Sequence, residues 1–123
     1  MKASELRIGN LVKNNLTGEL LKVCDVLCDG INTINIQGLN YGFIEPIPLT
    51  EEWLLKFGFE NKNGKFLINI DDRFKVCVAV RIDKWYLYND DFDSECNIIC
   101  KVEAVHRLQN LFFDIWNIEL IIK

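Results

Sequence analysis

The sequence has no long apolar run, and none approaches the ~20 residues that a membrane-spanning helix needs. Its first residues, MKASELRIGN, place Glu5 and Arg7 where a secretory peptide needs an apolar core. We therefore expect no membrane association and a cytoplasmic protein. The cytoplasm normally keeps thiols reduced, so the odd number of five cysteines predicts free thiols rather than disulfides.

An excess of basic residues is also missing. Fourteen lysines and arginines face eighteen acidic residues, which gives a net charge of −4. A protein that binds duplex nucleic acid normally carries a basic stripe that displaces counterions from the phosphates. The composition therefore argues against generic binding to a duplex.

Linkers, internal repeats and low-complexity tracts are absent as well. Half of the 123 residues are apolar and about a quarter are charged, as in ordinary globular domains. These features predict a single domain over residues 1–123.

Recognisable catalytic and cofactor motifs are lacking. The stretch NKNGK at 61–65 is a turn without the remaining glycines of a phosphate-binding loop. The acidic run NDDFDSE at 89–95 starts like a calcium loop but lacks its central glycine and its bidentate acid. We expect a protein that is not an enzyme and needs no cofactor.

The cysteines and the only histidine leave two alternatives open. CDVLC at 24–28 and CNIIC at 96–100 could supply zinc ligands, with or without His106, but cysteines four apart on a strand lie roughly 13 Å apart. Ordinary core cysteines and no metal are therefore the preferred interpretation. His106 is the only base available to a cysteine nucleophile, and the preferred alternative is a partly exposed histidine on a helix face.

The pattern of apolar and turn residues predicts an α+β fold with a mainly antiparallel, curled sheet of about seven or eight short strands. Two helices are expected, a short one at 50–57 and a longer one at 103–116. The predicted strands cover 6–12, 19–27, 31–36, 65–70, 73–82, 84–88, 96–102 and 119–122.

The stretch PIPLTEEWLLKFGF at 46–59 carries nearly every start and stop signal of a short helix. Thr50 is the expected N-cap, Leu49 and Leu54 can pack as a hydrophobic staple, and Gly58 supplies a left-handed stop. All of these signals are structural, so the helix is predicted to be scaffold.

The final helix is expected to bury an apolar stripe and to expose a polar face. That polar face carries His106, Gln109 and Asn110 together with Phe113, while Trp116 extends the apolar side. An apolar surface wider than one sheet can cover predicts a homo-oligomer, and we expect a dimer.

The clearest strand is RFKVCVAVRI at 73–82, which alternates without interruption. Phe74, Val76, Val78, Val80 and Ile82 are expected to fill the core. Asp83 is expected to turn the chain into the next strand, so that the residues left on the other face can form one surface. Guanidinium and ammonium groups beside aromatic rings suit a flat anion, since cations meet phosphate and rings stack on a base. The predicted ligand-binding residues are Arg73, Arg81, Lys84, Tyr86 and Tyr88, although a plain solvent face is the common alternative.

Three segments, SELRIGNLV, PIPLTEEWLLKFGF and VHRLQNLFF, together resemble a family of small uncharacterised proteins of bacterial phages, prophages and mobile elements. The resemblance spans residues 4 to about 120 in the same order. It implies a phage-linked accessory protein in the host cytoplasm, and it carries no catalytic residue over to this chain.

Two functional hypotheses follow. In the first, the protein captures an anionic, nucleotide-type signal of host defence. In the second, it docks on a host or phage protein through exposed aromatics such as Phe92 and Phe113.

Overall fold

The computed structural model describes residues 1–70, 75–88 and 98–123, with only the backbone of residue 98. These residues form eleven strands in three antiparallel sheets and two α-helices, so the predicted α+β class is confirmed. The expected single curled sheet is divided into three smaller ones. The strands are β1 (Leu11–Asn14), β2 (Leu20–Lys22), β3 (Asp25–Val26), β4 (Gly30–Asn32), β5 (Leu39–Asn40), β6 (Ile44–Glu45), β7 (Glu60–Lys62), β8 (Lys65–Asn69), β9 (Lys75–Arg81), β10 (Lys84–Tyr88) and β11 (Ile98–Lys101). The helices are α1 (Glu51–Lys56) and α2 (Val105–Trp116), and two 3-10 turns cover Ala3–Glu5 and Tyr41–Phe43.

The first 45 residues form a curled layer of two small sheets, ordered β2-β1-β6 and β3-β4-β5. The segment 20–26 links the sheets, because the Val23 amide donates to the Asn10 carbonyl and the Cys24 amide donates to the Asn32 carbonyl. The single strand predicted at 19–27 is therefore divided into β2 and β3, which belong to different sheets. The layer encloses a small core of Leu6, Val12, Leu21, Val23, Ile31 and Ile44.

A five-stranded sheet, ordered β11-β10-β9-β8-β7, forms the second layer. One face of it packs on the main core together with both helices. The largest fully buried members of this core are Phe57, Phe66, Phe112, Leu54, Leu87 and Leu108.

Strand β1 lies between the two cores because successive side chains on a strand point to opposite faces. Leu11 belongs to the main core, and its neighbour Val12 belongs to the small one. Strand β1 therefore contributes side chains to both cores.

Helix α1 forms as the sequence predicts. The Thr50 hydroxyl accepts a hydrogen bond from the Trp53 amide, 3.4 Å away, and Gly58 adopts a φ of +94° after the last turn. Leu49 and Leu54 are both buried in the main core, where the predicted staple would place them. The helix acts as scaffold that closes one side of the core.

The predicted exposed polar face of α2 is wrong. His106, Gln109 and Asn110 are all buried, since this face packs against the N-terminal segment rather than facing solvent. The Gln109 side chain donates to the carbonyls of Gly9 and Leu120, and the Asn110 side chain donates to the carbonyl of Glu5. Amides buried in this way are satisfied by backbone groups, which helical periodicity alone does not reveal.

The C-terminal tail is not a strand, contrary to the prediction for 119–122. Leu120 is nevertheless buried, and the Lys123 amide donates to the carbonyl of Lys56. The tail is held by these contacts instead of by sheet pairing.

The expected core set of the long strand is correct only in part. Val76 and Val78 are fully buried, but Val80 is 52% exposed and Ile82 is 83% exposed. Both residues lie at the tip of the β9–β10 hairpin, where the core no longer covers the sheet. Cys77, expected on the solvent side, is buried, and Phe74 lies outside the described residues.

Candidate anion-binding face

The register of β9 and β10 brings most of the predicted binding residues to one face. Arg81 pairs with Lys84, Ala79 with Tyr86, and Cys77 with Tyr88. Directly paired residues of antiparallel strands point to the same side of the sheet. Arg81, Lys84, Tyr86 and Tyr88 therefore share the face opposite the core, while Arg73 lies outside the described residues.

The hairpin depends on a two-residue turn in which both residues have a positive φ, +53° at Ile82 and +60° at Asp83. Two such residues give the turn geometry that matches the twist of paired strands. The predicted turn at Asp83 is confirmed. Ile82 is an unusual choice, because a β-branched side chain is disfavoured at positive φ.

We define the outer face as the side of the five-stranded sheet that points away from the main core. The pairings of β7 with β8, β8 with β9 and β10 with β11 extend it beyond the predicted residues. Its charged members on the described strands are Glu60, Lys62, Lys65, Lys75, Arg81, Lys84 and Lys101. The described strands thus contribute six cations and a single acid to this face, in a chain whose net charge is −4.

One row of the outer face crosses all five strands. In this row Tyr86 of β10 lies between Ala79 of β9 and Lys101 of β11. On the other side of Ala79 the row continues through Lys65 of β8 to Lys62 of β7. Paired strands are about 4.8 Å apart, so Lys65 and Lys101 start about 14 Å apart on the sheet. Alanine is the small residue of this row, and it leaves space beside the Tyr86 ring.

At the β11 end of the row, Glu103 from the segment after β11 forms ion pairs with two of the lysines. Glu103 lies 3.7 Å from the Lys84 ammonium and 3.9 Å from the Lys101 ammonium. All three side chains are about half exposed, so these ion pairs are weak and exchange readily with solvent. An anionic ligand with more than one charge can compete with Glu103 for the two lysines.

Tyr88 is on the expected face but is only 6% exposed. Its ring therefore does not offer an open stacking surface. Tyr86 is partly exposed and is the aromatic of the outer face that a ligand can reach.

The two described thiols of the five-stranded sheet, Cys77 on the outer face and Cys100 on the core side, are poor nucleophiles. Burial raises the pKa of the Cys77 thiol to about 11, although the Lys65 ammonium opposes the shift. Burial also raises the pKa of Cys100. Both thiols are therefore protonated at neutral pH, and a protonated thiol is a poor nucleophile.

The other cysteines and the histidine also differ from their expected environments. Cys24 and Cys28 are exposed rather than part of the core, and Cys96 lies outside the described residues. His106 is buried, with 8% of its surface exposed, rather than partly exposed on a helix face as predicted. Over the ranges that the structure describes, no group of three His, Cys, Asp or Glu side chains is placed to hold a metal ion.

Sequence reasoning missed the cations that neighbouring strands add to the outer face. Lys65 could have been found, because it alternates with the buried Phe66 in a strand that was predicted. Lys101 could have been found in the same way, because it alternates with the buried Val102 in the predicted strand at 96–102, and its pairing with Tyr86 lies outside the register shift between Leu87 and Tyr88.

Comparison with known proteins gives no relative. No family model matches the chain, and no curated protein or solved structure matches it significantly. None of the helices in the described part of the chain is long and apolar enough to cross a membrane.

Proposed function

We propose that this chain is a non-enzymatic binding protein that captures a flat anionic ligand of the nucleotide type on its outer face. The observation that carries the proposal is the grouping of Arg81, Lys84 and Lys101 around Tyr86 by strand pairing. The cations supply charge for phosphate groups, and the tyrosine ring supplies a surface for a base.

Positive charge is concentrated on the outer face of an otherwise acidic chain. The whole chain is acidic, yet the described strands place six cations and one acid on the outer face. A local positive field of this kind attracts anions and raises their association rate. Hydrogen bonds from charged donors to phosphate then contribute more than neutral ones.

Ala79 and Tyr86 are directly paired, so the small alanine side chain leaves space beside the tyrosine ring. A flat ring can lie over the alanine and contact the edge or face of the tyrosine. Lys65 on one side and Lys101 on the other are then positioned to meet charged groups at both ends of the ligand.

The phage-linked role is part of the same proposal and comes from the sequence resemblance. In that setting a protein that binds a nucleotide signal without consuming it would lower the free concentration of the signal. Sequestration of a host-defence signal requires affinity and stoichiometric expression, and it requires no catalytic group.

Calorimetric titration with mono-, di- and cyclic nucleotides tests the proposal. Arg81→Ala should weaken binding by roughly 1.5 to 3 kcal/mol, the range for a hydrogen bond to a charged group. Tyr86→Ala should cost about 1 to 3 kcal/mol if a base stacks on the ring.

Lys22→Gln is the matched control for Lys101→Gln, because Lys22 is an exposed lysine on β2, in the other layer. The control should bind like the unmodified protein, while Lys101→Gln should bind more weakly. Equal affinity in the Arg81, Tyr86 and Lys101 variants, each shown to be folded, would place the site elsewhere.

Docking on another protein remains the alternative prediction. Of its two aromatics, Phe92 lies outside the described residues, and the Phe113 ring is covered by the Arg7 guanidinium 3.6 Å from the ring centroid. A nucleotide panel that leaves the melting temperature unchanged would favour this alternative.

A further inference from the structure

A cleft lies between the N-terminal segment and α2. The cleft has a volume of about 480 Å³. On α2 its lining residues include positions 106, 110 and 114, which share one helix face because they are four apart. The facing wall is made by Glu5 and Arg7.

Hydrogen bonds and an ion pair fix the two walls relative to each other. Asn110 donates to the Glu5 carbonyl at 2.9 Å, and the Arg7 guanidinium lies 2.7 Å from a Glu119 carboxylate oxygen. Arg7 also stacks on Phe113. The cleft is therefore preformed rather than dependent on a ligand to assemble it.

His106, the only histidine of the chain, lines this cleft and is more than nine-tenths buried. Its Nδ1 atom has no hydrogen-bond partner among the described residues. Buried polar atoms are nearly always paired, so this nitrogen sets His106 apart from the other buried polar side chains of the described residues. Burial also lowers the pKa of the imidazole, which keeps the ring neutral at pH 7.

The charges around the cleft have both signs. Arg7 is neutralised by Glu119, which leaves Arg107 as a cation and Glu5 and Asp114 as acids. A purely anionic ligand would meet two carboxylates, and a purely cationic ligand would meet Arg107. This balance differs from that of the outer face, where cations dominate.

We propose that the cleft binds a small zwitterion of the amino-acid type, whose carboxylate pairs with Arg107 and whose ammonium pairs with Asp114. Because Glu5 and Asp114 line the cleft with Arg107, which pairs with no acid among the described residues, an amino acid with a second ammonium group fits better than one with a neutral side chain. The site is independent of the outer face, and neither requires the other.

The single histidine provides a direct reporter, since its ring gives one set of proton resonances in the NMR spectrum. At constant pH, L-lysine and L-alanine at about 1 mM and above should shift these resonances saturably, with L-lysine binding more tightly. Acetate and methylamine at the same concentrations should produce little shift, because each satisfies only one of the two charges.

Arg107→Gln and Asp114→Asn each remove one exposed charge and should weaken L-lysine binding about tenfold, or by about 1.4 kcal/mol. Lys22→Gln is the control and should leave the titration unchanged. No saturable shift with either amino acid would overturn the proposal. So would an equal response to acetate, or full binding by both cleft variants. Nucleotide titration of the same variants keeps this test separate from that of the outer face.

Discussion

Gln109 provides the sharpest test of how the two layers are joined. Its side chain is 2% exposed and makes four hydrogen bonds. The oxygen accepts from the Leu11 amide at 2.9 Å and from the Asn10 side chain at 3.5 Å. The nitrogen donates to the carbonyls of Gly9 and Leu120 at 3.2 Å and 3.1 Å. Gln109→Leu keeps a similar volume and removes all four bonds.

The magnitude follows from the groups that lose their partners. Asn10 keeps its 2.8 Å bond to Asn110, and the part-buried bond to Gly9 can be replaced by water. The Leu11 amide and the Leu120 carbonyl remain buried and unpaired. Each such group costs about 1 to 3 kcal/mol, so we expect a loss of about 2 to 6 kcal/mol. That is a large part of the stability of a small domain, typically about 5 to 15 kcal/mol.

Urea unfolding followed by tryptophan fluorescence measures this loss. Gln37, the other glutamine of the chain, is exposed, so Gln37→Leu is the matched control and should change stability by less than about 0.5 kcal/mol. If Gln109→Leu cost less than about 1 kcal/mol, or no more than the control, the amide would not hold the layers together and the reasoning would fail.

Four further predictions follow from individual features. Thr50→Ala should lower the free energy of unfolding by about 1 kcal/mol, because it removes the N-cap of α1. Gly30→Ala should cost at least about 1 to 3 kcal/mol in thermal melting, because an added Cβ would clash with the Leu39 carbonyl oxygen. The folded-state pKa of His106 is lowered by burial, so the unfolded chain binds more protons near its ordinary value of 6.5. Stability should therefore fall as the pH drops below about 6.5, level off below the folded-state pKa, and lose this dependence in His106→Gln. Light scattering at micromolar concentration should show a dimer.

Each of these predictions has a contrary result. Unchanged stability in Thr50→Ala or in Gly30→Ala would contradict the contact concerned. If stability depended on pH equally with and without His106, the dependence would belong to other titrating groups such as the carboxylates. Glu5 and Arg107 are the charged groups that act on the His106 ring. Scattering that gave only the 14.3 kDa monomer would remove the dimer. The aromatics that suggested it, Phe113 and Trp116, contact Arg7 and Phe112 within the chain.

Local signals predicted local structure well. The cap at Thr50, the stop at Gly58 and the turn at Asp83 depend on a few adjacent residues, and all three form as the sequence indicates. The face of a helix that is buried depends instead on what packs against it. Gln109 and Asn110 look like solvent-facing residues, and their burial depends on the backbone of the distant residues 5–11 and of Leu120.

The outer face could be predicted only as far as one hairpin. Alternation placed Arg81, Lys84 and Tyr86 together because the turn between their strands is short. The burial of Tyr88 depends on tertiary packing, which leaves no periodic signal in the sequence. The cleft at His106 depends on two segments about a hundred residues apart and has no sequence signature at all.

The bonds between the two ends of the chain also constrain how it folds during synthesis. Asn10 and Asn110 are 100 positions apart, and Arg7 and Glu119 are 112 positions apart. Translation proceeds at roughly 5 to 20 residues per second, so about 5 to 20 s separate the appearance of these partners. During that time the curled N-terminal layer lacks the helix that satisfies its Leu11 amide and covers one side of β1. High contact order of this kind slows folding. We therefore expect the nascent chain to reach its native state only after α2 and the tail have left the ribosome, and a chain truncated before Gln109 to be a substrate for chaperones and proteases.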